Sequence, residues 1–318
     1  MTRNSDIQYT LNSKSKSFSK GFKNNWQLHL MIILPLAYII IFYYLPMYGI
    51  QIAFRDFRVR DGIMGSEWVG LKHFKEFFEY YKWKNVVWNT LSVSLYSIVA
   101  GFPIPIILAL VIHTSNNKWL KKFTQNLSYI PHFISMVVLV GIINQIFNPI
   151  SGVLGAIQEI FDVNIYGDIR SSSTAFRHLY VWSGIWQNMG WSSIIYVAAL
   201  GAVSPELHEA AKIDGASRFK RIIHVDIPAI MPTICIMLIL RCSSIMSVGF
   251  EKVFLMQNSL NLSTAEVIST YVYKSGIGEN QLSYGTAVGL MNSVINTFMV
   301  ILVNYITNKM SDKEAGLF

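Results

Sequence analysis

Charge is scarce in this 318-residue chain: Asp, Glu, Lys and Arg together make up 14% of it, against about a quarter in an ordinary soluble domain. Cysteine is scarcer still, with only Cys235 and Cys242. They stand seven apart on one apolar segment, outside any disulfide framework or CxxC metal spacing, and read as packing residues. No GxxxxGK[ST] phosphate loop is present, so the chain has no recognisable means of handling ATP itself. No HExxH occurs and the seven histidines are scattered, which speaks against a membrane enzyme. The formal charge of +8 lacks the clustered basic face with interleaved aromatics that nucleic acid requires, so no nucleic-acid partner is expected. The N-terminal region is basic, but its apolar stretch is too long for a signal peptide and no small-residue cleavage site follows it. It reads as a tail and an uncleaved anchor.

What the chain has in abundance is apolar sequence, 52% of its residues. Six runs reach the roughly 20 residues that a helix needs to cross a bilayer core, at about 28–50, 86–112, 127–147, 179–200, 229–250 and 284–307. The fold class is therefore all-α integral membrane, with six transmembrane helices in one domain over 26–310. A tail over 1–25 precedes it and another over 311–318 follows. An even number of spans puts both termini on one side. With that side cytoplasmic, inner segments hold 14 Lys and Arg against 11 outside, a thin positive-inside margin. The stretch 68–88 mixes Phe74, Phe77, Phe78, Tyr80, Tyr81 and Trp83 with charges. That composition suits a helix lying at the interface, or a plain packed loop.

The segment 204–228, between the fourth and fifth runs, is the most informative. Ser204 can cap a helix, Pro205 suits its first position and Glu206 complements its positive end. Gly215 permits the turn that stops it. A second amphipathic turn follows, with Phe219, Ile222 and Ile223 opposite Arg218, Lys220 and Arg221, before Pro228 opens the fifth span. The small Ala210 and Ala211 let another surface approach the backbone, and Glu209 offers an anchoring charge. An ordinary amphipathic connector would explain any one of these residues singly.

Taken together, Glu209, Ala210, Ala211, Gly215, Val225, Ile227 and Pro228 resemble the cytoplasmic loop signature of permeases in binding-protein-dependent ABC importers. The usual Ile-x-Leu-Pro ending reads Val225-Asp226-Ile227-Pro228 here. The resemblance continues through Tyr44-Leu45-Pro46-Met47-Tyr48-Gly49, Gly70-Leu71-Lys72-His73-Phe74, Asn89-Thr90-Leu91, Gly249-Phe250-Glu251 and Thr270-Tyr271-Val272-Tyr273-Lys274-Ser275-Gly276. These stretches are similar to the maltose-type permeases, in the branch serving oligosaccharides and polysaccharide-derived glycans.

The resemblance implies a bacterial cytoplasmic-membrane permease with both termini inside. It implies a second homologous permease subunit, two ATPase subunits that bind the ATP and Mg, and an extracellular solute-binding protein. Glu209, Ala210, Ala211, Asp214, Gly215 and Pro228 would form the coupling element, with no cofactor in this chain. Transport would proceed by alternating access, each ligand favouring one of two packings. Sugar recognition calls for aromatic faces and amides in a mostly apolar cavity. Trp186, Gln187, Asn188 and Trp191 in the fourth run offer both, and Arg241, Ser244 and Glu251 lie along or beyond the fifth. Two roles for Arg241 remain open, facing substrate or pairing with a carboxylate of the second subunit, since either meets the cost of an intramembrane charge. A secondary transporter would call for intramembrane acids, and the six runs hold none away from their edges. A non-sugar importer sharing the same loop is the nearer alternative.

Overall fold

The computed structural model describes residues 25–162 and 167–310, the side chains of 307–310 excepted. The two expected tails fall outside the described residues, apart from Asn25. Most of what is described is helical. The strands among the described residues are one antiparallel pair, Arg55–Asp56 with Glu67–Trp68, in which Arg55 faces Trp68.

Among the described residues, four helices are long and apolar enough to cross a membrane: α1 (Trp26–Phe54), α3 (Trp83–Thr114), α9 (Arg218–Cys242) and α12 (Leu282–Ile306). Between α1 and α3, the aromatic stretch forms α2 (Lys72–Glu79), which turns His73 and Phe77 inward. The expected third span is not straight. It divides into α4 (Lys118–Phe133) and α5 (Met136–Ile146), bent by 101°. Pro131 withholds a backbone donor there, and Ser135 caps the new helix by accepting from the Val138 N–H. Counting that bent pair gives a fifth candidate span. After α6 (Val153–Phe161), the expected fourth span lies within α7 (Ser173–Gly201), whose 29 residues extend about 43 Å. Arg177, His178, Gln187 and Asn188 leave it too polar to join the apolar set.

The fifth span departs from its expected bounds at both ends. The second amphipathic turn is no separate element. From Arg218 the backbone runs without a break into α9, passing through a π-helical turn at Ile222–Asp226 just before Pro228. A wide turn absorbs the hydrogen bond that proline cannot donate. The same device precedes Pro46 in α1, where Ile40–Tyr44 is π-helical. At its far end α9 stops at Cys242 rather than near Phe250. Ser243 Oγ returns to the Leu240 carbonyl, competing with the helical ladder. Asn296 of α12 then takes over, accepting from the Met246 N–H and donating to Ser247 Oγ. Gly249 leads into the short α10 (Phe250–Met256).

The buried core lies in three clusters. One joins Ala109 and Leu110 of α3, Tyr196 and Leu200 of α7 and Ile230 of α9. The other two lie towards the opposite ends of α3 and α7. There Asn89 of α3 donates to the carbonyls of Ser263 and Glu266, and Thr90 Oγ1 accepts from the Ile268 N–H. The Asn-Thr pair thus pins the segment leading to α11 (Ile268–Val272). Helices α4 and α7 touch backbone to backbone: a Cβ on Gly190 would stand 2.1 Å from the Ser128 carbonyl oxygen. By contrast, no residue of Trp26–Ile39 is buried.

Candidate functional site

Two places hold the residues that the sequence singles out. The first is the turn between α7 and α9. Ser204 Oγ accepts from the Glu206 N–H at 3.3 Å, and Pro205 opens α8 (Pro205–Ile213). Gly215 sits at φ +74°, a conformation that disfavours any side chain. The turn closes through the Ala216 N–H, which donates to the Ala211 carbonyl at 2.8 Å. Ser217 then caps α9, its Oγ accepting from the Lys220 N–H. Glu209, Ala210, Asp214, Gly215 and Pro228 are exposed and Ala211 is half-buried. Leu207, Ile213 and Phe219 are also exposed, Ile213 to 87%. Beside α8 runs a cleft of about 310 Å³ lined by Ala211, Ala216, Lys220, Arg221, His224 and Val225. A small-residue helix with apolar side chains turned outward and a cleft at its flank is a surface shaped to be covered. His208 differs from its neighbours in pointing inward, towards Asp226.

The second place is the middle of α7. Residues two apart on a helix diverge by about 200°, so Trp186 and Asn188 face nearly opposite ways. Asn188 and Trp191 come together with two residues from the bend after α4. His132 stacks on Trp191, with centroids 4.5 Å apart, and donates from Nδ1 to Asn188 Oδ1 at 3.0 Å. Phe133 meets Trp191 edge-on. The sequence offers no local sign of His132 and Phe133, which reach α7 only because α4 breaks at Pro131. Gln187 is buried and donates to the Ile134 carbonyl at 2.8 Å, so its amide is committed to that same break. Trp186 is exposed on another face.

Arg241, Ser244 and Glu251 are all exposed. Arg241 lies within electrostatic reach of Tyr180, and among the described residues no carboxylate forms an ion pair with it. Lys252 is enclosed against the same tyrosine, donating to the Tyr180 carbonyl at 2.8 Å and lying over its ring. A larger cavity of about 850 Å³, lined by His73, Glu76, Tyr80, Glu266, Lys274 and Glu279 among others, takes in none of the residues expected along a substrate path.

Long apolar helices, an aromatic and amide cluster between α7 and the bend of α4, and an exposed small-residue turn are the features of a membrane-embedded transport subunit. The chain belongs to the family described as binding-protein-dependent transport system inner membrane component, whose model matches residues 101–312. It is 40% identical over 306 residues to Protein LplB of Bacillus subtilis, covering 96% of this chain and 95% of that protein. It is 39% identical to the polygalacturonan/rhamnogalacturonan transport system permease protein YteP of the same organism, over 92% of this chain and 90% of that one. Among solved structures, a bacterial alginate ABC transporter in complex with an alginate pentasaccharide-bound periplasmic protein superposes with a TM-score of 0.85. The matched chain is 32% identical, with 94% of this chain and 99% of that one covered.

Proposed function

We propose that the chain is one of two permease subunits of an ATP-driven importer of oligosaccharides derived from polysaccharide. Six spans are counted in this reading, with α4–α5 and α7 included and both termini cytoplasmic. Two ATPase subunits hold the ATP and Mg, and an extracellular binding protein delivers the sugar. The observation that carries the reading is the α8 turn: Gly215 at positive φ behind a short helix that exposes Ala210, Ile213 and Glu209. Relatives that transport polygalacturonan and rhamnogalacturonan, or alginate, support the substrate class.

Sugar meets the chain at Trp191, Asn188, His132 and Phe133, a pair of amide and imidazole groups flanked by ring faces that suit hydroxyls and C–H surfaces. Arg241 offers its guanidinium to the carboxylate of a uronate unit, a pairing that Arg makes in two-pronged geometry. Arg241 is exposed and has no carboxylate partner among the described residues, so a carboxylate of the second permease is the alternative partner.

The test is uptake and ATPase activity of the complete complex in proteoliposomes with its binding protein. Gly215→Asp and Glu209→Lys each lose at least tenfold of sugar-stimulated ATPase while the protein still inserts. Full activity in both variants would remove the docking role. Arg241→Ala that assembles normally but loses uptake of oligogalacturonides, while keeping neutral oligosaccharides, assigns Arg241 to substrate. Loss of assembly assigns it to the subunit interface.

A further inference from the structure

His208 of α8, His113 at the end of α3 and Asp226 in the π-helical turn of α9 converge on one point. We propose that these three side chains form a divalent transition-metal site, of the zinc class, that clasps α8 to α3 and α9. Asp226 Oδ1 lies 3.2 Å from His208 Nε2 and 3.9 Å from His113 Nε2, and the three ligand atoms all fall within 4.8 Å of one another. Around a tetrahedral zinc ion with bonds of about 2.0–2.1 Å, donors stand about 3.3 Å apart. Small side-chain movements therefore bring all three to bonding distance. The imidazole centroids are 6.0 Å apart with planes inclined by 38°, so the rings meet at an angle and do not stack.

A second observation points the same way. Asp226 is 1% exposed, and although its Oδ1 and His208 Nε2 lie 3.2 Å apart, among the described residues neither enclosed atom makes a well-aligned hydrogen bond. A buried carboxylate with an unanswered oxygen is costly, and pairing or metal coordination is the usual remedy. A proton on one imidazole would serve one His–Asp contact, whereas a metal ion is shared by all three groups. Two imidazoles and one carboxylate suit zinc or cobalt, with a fourth position left for water. Magnesium and calcium prefer oxygen-only shells.

Chain separation makes such a clasp consequential. The ligands come from three helices, so the ion would tie the turn both to α9, which follows it, and to α3, distant from it in sequence. Its effect on coupling rests on the reading of α8 given above, but the binding itself does not.

The experiment uses the complete complex, nucleotide-free, carrying an affinity tag without histidines, stripped with chelator and dialysed. Zinc content by mass spectrometry should be one ion per copy of this chain, and cobalt should give the visible absorption of a tetrahedral centre. His208→Gln and Asp226→Asn should each weaken binding by 10-fold or more, whereas His224→Gln, on the same loop but outside the cluster, should not. Wild-type complex that takes up no zinc, or no more than Asp226→Asn, overturns the proposal, as does a cobalt spectrum unchanged in His208→Gln. Should the variants fail to assemble, the wild-type stoichiometry and spectrum still decide. Neither sugar nor ATP enters the measurement, so a negative result leaves the importer reading standing, and an inactive importer leaves the metal result standing.

Discussion

Gln187 ties α7 to the break in α4. Breaking α4 at Pro131 frees the Ile134 carbonyl, and the Gln187 amide occupies it. Gln187→Leu keeps the bulk but leaves that oxygen unpaired, a loss of about 1–3 kcal/mol, read as a melting temperature lowered by several degrees. Just ahead of α7 the Arg170 guanidinium, 2.6 Å from Asp168, holds its carboxyl below the ordinary value of 3.8. The Arg170 carbonyl in turn accepts from Asn258 and Asn261, so the pair anchors the segment after α10. Because the folded carboxyl is the more acidic, its stabilisation is complete above the unfolded value and disappears as pH falls through the folded one. Asp168→Asn should melt below the wild type at pH 7, and the gap should start to close near pH 3.8 and vanish in stronger acid. A gap independent of pH would show that the charge is irrelevant there.

Elements were legible in the sequence to the extent that their signals are local. The Ser204 cap and the Gly215 turn stand in the structure where residue chemistry puts them, because capping and left-handed turns depend on neighbours a few positions away. The bend in α4–α5, the early stop of α9 and the partnership of His132 with Trp191 depend on contacts between distant segments. Asn296, for instance, ends α9 from α12. Within α7 polar side chains are tolerated because neighbouring elements answer them, Arg177 reaching Asn89 and Gln187 the Ile134 carbonyl. Close approach is the exception that a single residue type can signal: Gly190 lets α7 lie against Ser128 of α4. Gly190→Val, which must push those backbones apart, should abolish stable insertion or lower thermal stability more than Gly201→Val, a site with open space around it. Equal behaviour of the two variants would mean that the contact between α4 and α7 is not part of the stable fold.

At the scale of the whole molecule, the most telling feature is continuity. Helix α9 runs from Arg218, at the turn after α8, to Cys242 beside Arg241 as one 25-residue element, about 37 Å long. A continuous helix of that length is a lever arm. Tilting it by about 5° about its base carries the far end roughly 3 Å, a displacement set by length alone. Whatever grips the short helix at one end therefore need make only a slight stroke to reposition a guanidinium at the other, with no relay of intermediate contacts required.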